Sequence, residues 1–265
     1  MSRSMSNAVL QRVLSAAVLA ALIIATASAA AFAAEKRKPR ERATSHLKVA
    51  QSFYMAGRYG EALGSVDKAL KEESTYVPAH QLRGQILVSM DKLEEALKEF
   101  DRALQLDGTY TESRNWKGFV LVQLERFDEA MAEYRKALED LTYPTPEVIY
   151  LNIGKLHRLK GNNDEALASL KKSVTLNPSF ASGYYELGRT YEKLGKDREA
   201  LKAYQDALVG MDSNPDLNLR LGLALAKAGN GPKAKEHFEK VIKLAPDGPE
   251  AAQARDAIRK LQPTS

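Results

Sequence analysis

The sequence predicts an all-α protein, an α-solenoid of six helix–turn–helix units closed by a C-terminal capping helix. Three recurring features carry that expectation. An alanine with an apolar or aromatic residue four positions later occurs at Ala62, Ala96, Ala130, Ala166, Ala200 and Ala234, at intervals of 34, 34, 36, 34 and 34 residues. Seven or eight positions further on stands a small or aliphatic pair: Ala69-Leu70, Ala103-Leu104, Ala137-Leu138, Ser173-Val174, Ala207-Leu208 and Val241-Ile242. Twelve residues before each alanine is a small residue, namely Ala50, Gly84, Gly118, Gly154, Gly188 or Gly222. One period running through 206 residues describes a single elongated array rather than two globular domains.

The elements follow in order. Units begin at Ala43, Val77, Thr111, Glu147, Ala181 and Pro215 and fill residues 43–248. In each, the small residue at position 8 and the alanine at position 20 fall where the first helix (A) crosses the second (B). A larger side chain there would force the axes apart, at a cost on the order of 1–3 kcal/mol. Helix breaks are marked by Gly57-Arg58-Tyr59, Gly161-Asn162-Asn163, Gly195-Lys196 and Gly229-Asn230-Gly231-Pro232, and Pro178 and Pro246 close their units. Between units three and four the period lengthens by two residues, at Leu141-Thr142-Tyr143-Pro144-Thr145-Pro146. Pro144 holds the preceding residues extended, Thr145 is placed to cap the next helix, and Pro146 suits its first position. Residues 249–262 continue amphipathically, with Ala252, Ala257, Ile258 and Leu261 opposite Arg255, Arg259 and Lys260, and form the capping helix.

The first 42 residues read differently. Residues 1–12 carry two arginines and no acid, residues 13–34 are uncharged with an apolar heart at Val18–Ile24, and Ala31-Phe32-Ala33 is a small-x-small exit. These are the parts of a secretory signal peptide over residues 1–33, with cleavage after Ala33 and a periplasmic destination. The uncharged run is also long enough to span a bilayer, and Lys36-Arg37-Lys38-Pro39-Arg40 behind it resists translocation, so an inner-membrane anchor is the alternative. Residues 34–42 read as a flexible basic spacer able to touch anionic lipid. This leader holds the whole net charge of +5; residues 43–265 contain 32 basic and 32 acidic side chains. A neutral body has no phosphate-seeking field, which argues against nucleic acid as a partner.

Catalytic and metal chemistry find little support. The chain has no cysteine and so no thiolate ligand, thiol nucleophile, disulfide or lipid attachment point. His46, His80, His157 and His237 are never three or four apart; the first two fall at position 4 of their units, and His157 at a position that is normally aromatic and buried. There is no nucleophile elbow, phosphate loop or dinucleotide fingerprint. Acidic pairs such as Glu94-Glu95 and Asp128-Glu129 open the B helices, where they favour the helix N-terminus. The chain therefore reads as a non-enzyme that needs no cofactor.

The 34-residue unit, with small residues at positions 8, 20 and 27, resembles the tetratricopeptide repeat family, which implies a right-handed solenoid. In that family ligands lie in the concave groove lined by helix A positions 2, 5, 9, 12 and 13. Carried over, these positions give Leu47, Gln51, Tyr54, Gln81, Gln85, Val88, Asn115 and Phe119, an apolar and amide half suited to an extended segment. The other half is Leu151, Lys155, Arg158, Tyr185, Arg189 and Lys193, suited to an acidic segment or a terminal carboxylate, with Glu192 as its one acid. The Lys and Asn clamp that receives chaperone tails is not matched at Leu47, Gln51, Gln81 or Gln85.

Within that family, Tyr143-Pro144-Thr145-Pro146-Glu147 followed by Asn152-Ile153-Gly154 resembles the type IV pilus biogenesis/stability proteins, six-repeat pilotins of bacterial outer membranes. The resemblance implies a partner protein, a secretin subunit, whose assembly is promoted by binding. Those proteins are typically lipidated on a cysteine that this sequence lacks. A generic adaptor for another envelope complex is the alternative reading.

Overall fold

A computed structural model describes residues 38–261, and every regular element among them is a helix. They are α1 (38–55), α2 (Tyr59–Glu72), α3 (Val77–Ser89), α4 (Leu93–Leu106), α5 (Thr111–Gln123), α6 (Phe127–Ala137), α7 (Pro146–Leu159), α8 (Asn163–Leu176), α9 (Ala181–Lys193), α10 (Asp197–Met211), α11 (Pro215–Lys227), α12 (Gly231–Leu244) and α13 (Pro249–Leu261). Odd-numbered helices up to α11 are the A helices and even-numbered ones the B helices, the six-unit solenoid class that the period predicts. The signal peptide and the start of the spacer lie outside the described residues. The spacer's end does not remain a loop: residues 38–42 are the first turns of α1. Arg40 pairs with Glu73 at 2.5 Å and lies 4.6 Å over the Tyr76 ring, and Arg42 pairs with Glu72 at 2.6 Å. No described helix is long and apolar enough to cross a membrane.

Contacts divide the chain after Gly108. In the first unit, α1 to α3 close on a core of Ala43, Leu47, Ala50, Ala62, Val66, Ala69, Tyr76, Ala79, Leu82 and Ile86. In the second, α5/α6, α7/α8, α9/α10 and α11/α12 form hairpins, and α13 packs on α11 and α12. A core at its C-terminal end holds Tyr204, Leu217, Leu221, Leu225, Phe238 and Val241, with Ala254 of α13 sealing the end. The last hydrophobic face is thereby covered, as a terminal cap must do.

One contact recurs in each glycine-bearing hairpin. A Cβ at Gly84 would stand 2.5 Å from Phe100 Cε1; at Gly118, 2.5 Å from Tyr134 Cε1; at Gly154, 2.6 Å from Leu170 Cγ; and at Gly222, 2.5 Å from Phe238 Cε1. Gly188 meets the Tyr204 ring in the same way. Those partners are essentially inaccessible to solvent, so none can swing aside. The partner is always sixteen residues on, at position 24.

Between A and B the chain turns through a left-handed residue at position 15: Gly57, Gly161, Gly195 and Gly229 in four units, but Asp91 (φ 59°) and Glu125 (φ 58°) in units two and three. Acidic residues stand in the first turn of each B helix from α2 to α10, and Asn214 and Asn230 cap α11 and α12 by accepting from Leu217 N and Lys233 N.

At the insertion, Pro146 opens α7 as expected, but the Thr145 side chain makes no capping bond. Asp140 organises the corner instead. Its Oδ2 accepts from Thr111 Oγ1 at 2.6 Å, and its Oδ1 accepts from Thr142 N at 3.0 Å and Thr142 Oγ1 at 2.6 Å. These donors hold its carboxyl below the usual range.

Two of the histidines are held by hydrogen bonds within the fold. His80 is buried between Glu99 Oε2 (2.8 Å) and the Ser74 carbonyl (3.0 Å), and His237 Nδ1 lies 2.9 Å from Asn218 Oδ1. His157, expected to be buried, is only half-buried. No cluster of three potential metal ligands exists among the described residues.

Two measurements check this account. Gly84→Ala should lower the free energy of unfolding in a urea titration by about 1–3 kcal/mol through overpacking against Phe100. Gly64→Ala, exposed in α2 with nothing within 4 Å of the added carbon, should raise it by about 0.5–1 kcal/mol. Burial, reinforced by Lys240, holds His237 below its usual value, so in the window under pH 6.5 the unfolded chain binds the extra proton. Stability should therefore rise with pH up to about 6.5, and His237→Gln should flatten that slope when melting temperature is followed from pH 5 to 7.5.

Candidate functional site: the A-helix face

The A helices offer the groove positions, and burial sorts the candidates. In the first unit Leu47 and Gln81 are buried, with 5% exposure each, so Leu47 contributes to the core and not to a binding surface. Gln51 is exposed, while Gln85 and Val88 are half-buried. Tyr54 packs its ring against Tyr59 (centroids 6.0 Å apart) and accepts from Ser89 Oγ at 3.3 Å.

In the second unit Leu151 is also a core residue. Most of the remaining candidates gather into two arrangements, each completed by residues that were not among the candidates. The first is a cleft of about 310 Å³ lined by Glu112, Asn115, Trp116, Phe119, Tyr143, Thr145, Val148 and Asn152. Asn115 and Phe119 were expected; Glu112 and Trp116 of α5, Asn152 of α7 and Tyr143 of the insertion were not. Glu112 sits at its centre. Its Oε1 accepts from Trp116 Nε1 at 2.9 Å and its Oε2 from Tyr143 OH at 2.7 Å. Asn152 Nδ2 donates to Asn115 Oδ1 at 2.9 Å, and the Trp116 and Phe119 rings meet edge to face at 5.6 Å. Burial and the neighbouring Glu112 push the Tyr143 hydroxyl up to about 12 against the hydrogen bonds of Thr145 and Asn115. Tyr143 therefore remains a donor at neutral pH.

The second arrangement is a chain of ion pairs across α7, α9 and α11. Glu186, buried, accepts from Arg158 Nη2 at 3.0 Å and Arg189 Nη1 at 3.4 Å, and Arg189 also lies 5.7 Å over the Tyr185 ring. Lys193 Nζ donates to the Arg158 carbonyl at 3.4 Å. Tyr185 donates to Asp216 and is pushed up to about 12 by burial and that carboxylate. Burial alone would raise Asp216, but Tyr185 and Arg220 outweigh it and hold it below the usual range. Arg220 bridges Asp216 (2.8 Å) to Glu192 (3.0 Å). The positive charge expected from Arg158 and Arg189 is thus met internally. Lys155 has no ion pair among the described residues and is the free cation of α7.

The residues missed are mostly those at position 6: Trp116, Asn152, Glu186 and Arg220. Positions 2, 6, 9 and 13 fall on one helical stripe through steps of four and three, a pattern the sequence already holds. Tyr143 carries no such signal, since only the folded corner brings it to Glu112.

Glu186→Ala should lower unfolding free energy by about 2 kcal/mol, because it strands Arg158 and Arg189 without their acceptor. Asp197→Asn, which breaks the exposed pair with Lys227 at 2.7 Å, should change it by less than about 0.5 kcal/mol in the same denaturant titration.

Known proteins with this arrangement identify the fold. Tetratricopeptide repeat sequence models match residues 82–143, 154–195, 184–219 and 216–248, more than half of the chain in total. A BBSome complex member BBS4 homologue of Drosophila melanogaster is 40% identical over 62 residues, covering 23% of this chain and 13% of that protein. The chain spans about an eighth to a quarter of the length of the curated relatives it matches. Among solved structures, PilW, a widely conserved type IV pilus biogenesis factor, is 26% identical with a TM-score of 0.72, over 80% of this chain and 98% of PilW. Pseudomonas aeruginosa PilF has the same TM-score at 19% identity, over 83% of this chain and 99% of PilF, a likeness of fold. The chain belongs to the tetratricopeptide repeat family.

Proposed function

We propose that the protein is a non-catalytic scaffold that holds a segment of a partner protein along the A-helix face and works in bacterial envelope assembly, in type IV pilus and secretin biogenesis. The observation that carries the reading is the likeness to PilW, which extends over 98% of that protein and so over its whole repeat array rather than one shared repeat. The face itself supports binding over chemistry. Tyr143 and Tyr185 are held protonated, the carboxylates beside them act as acceptors, and the cleft beside Tyr143 is open, apolar and edged with amides.

The partner is a secretin subunit, whose apolar surface is shielded until the subunits join. The protein reaches it by export through residues 1–33, released after Ala33 or retained as an inner-membrane anchor; with no cysteine, it is not lipidated on that residue.

Deletion of the gene should abolish the heat-resistant secretin multimer seen on denaturing gels and remove surface pili, and affinity capture from envelope extracts should recover the secretin. Normal secretin multimers in the deletion strain would instead assign the protein to another envelope complex. Mass spectrometry of the mature chain from fractionated cells decides the compartment: a start at Ala34 in the periplasm fits release, and an intact N-terminus in the inner membrane fits the anchor.

A further inference from the structure

The cleft beside the insertion has a chemical bias that its apolar walls conceal. Among the groove-facing acids of the second unit, Glu186 is paired with Arg158 and Arg189, Glu192 with Arg220, and Asp216 with Arg220. Glu112 has no ion pair among the described residues. Both its oxygens are fixed by neutral donors, Trp116 Nε1 and Tyr143 OH, which orient the carboxylate without cancelling its charge. Those two bonds also occupy the indole and phenol donors of the cleft. Asn152, whose amide nitrogen donates to Asn115 Oδ1, keeps a carbonyl oxygen available as a further acceptor. The result is a half-buried, acceptor-rich cleft walled by Trp116, Phe119 and Tyr143, with an uncompensated negative charge at its centre. Aromatic walls and a carboxylate attract the same kind of ligand, a cation with an apolar stem.

We propose that this cleft receives a lysine or arginine side chain of the bound partner segment, with Glu112 as its counter-charge. The inference rests on the reading of this face as a peptide-binding surface and names the residue type that anchors the peptide in it. The stem of the side chain lies against Trp116 and Phe119, the charged head meets Glu112 and the Asn152 carbonyl, and Tyr143 closes the outer wall. The two-residue insertion is then a recognition element, because it delivers the hydroxyl that fixes Glu112.

The test uses a phage-displayed random peptide library panned on the whole protein. Selected peptides are resynthesised without tryptophan, and the chain's single tryptophan, Trp116, reports their binding by its fluorescence. The expected result is a shared Lys or Arg in the selected peptides, a saturable change in Trp116 emission, and at least tenfold weaker binding on either of two changes. One is Glu112→Gln, which keeps an acceptor but removes the charge; the other is replacement of the peptide's basic residue by norleucine. The norleucine peptide requires no variant protein, so it decides the matter even if Glu112→Gln disturbs folding. Peptides that bind without a basic residue, or that tolerate both changes, overturn this proposal and leave the peptide-binding reading intact. Failure to select any peptide removes that reading and this proposal with it.

Discussion

The repeat depends on the close approach of helix A to helix B at one small residue. Gly84, Gly118, Gly154, Gly188 and Gly222 each lie under the side chain sixteen residues later, a ring in four units and Leu170 in the other. The missing Cβ sets the separation of the two axes, and the side chain at position 24 fills the space it leaves. In the first unit Ala50 and Val66 share the corresponding core, a smaller knob over a slightly larger base. Because knob and hole belong to one hairpin, each of these units carries its own packing rule, and contacts between units add to it.

That arrangement leaves the other face of helix A free of core duty and available for polar chemistry. The second unit uses it in two ways. From α7 to α11 the charges are linked into a ladder in which Glu186 and Arg220 are each shared between partners. Shared partners lower the entropy cost per bond, since a side chain already fixed by one contact loses little more in forming the next. Between α5 and α7 the polar groups instead surround open space, and the corner held by Asp140 supplies its outer wall.

The architecture was legible because packing repeats: the glycine, the alanine and the later apolar residue recur at a fixed interval, and α3, α5, α7, α9, α11 and α13 begin within a residue of the positions the period implies, whereas α1 begins five residues early. The composition of the face was only partly legible. Arg158 and Arg189 read as free cations because their neutraliser, Glu186, stands at a stripe position just beside those considered. Leu47 and Leu151 read as surface because burial depends on the neighbouring helix, which sequence spacing does not report. Thr145 had the right residue type for a cap, yet Asp140 took control of the corner through bonds to Thr111 and Thr142, a choice made by tertiary proximity. The helical turns at 38–42 likewise depend on Glu72, Glu73 and Tyr76, some thirty residues away.

The 36-residue interval between units three and four has a consequence for how such a chain can change over time. Arrays whose hairpins each close on themselves can gain or lose members by duplication or deletion in whole steps, because a new copy arrives with its own hole and knob. The joint at residues 140–146 breaks that interchangeability. Tyr143 must find Glu112, and Asp140 must find Thr111, so the third and fourth members are matched to one another and inherited as a pair. The lengthened interval is therefore a fixed address in the array, where the third and fourth members are matched through the added residues themselves.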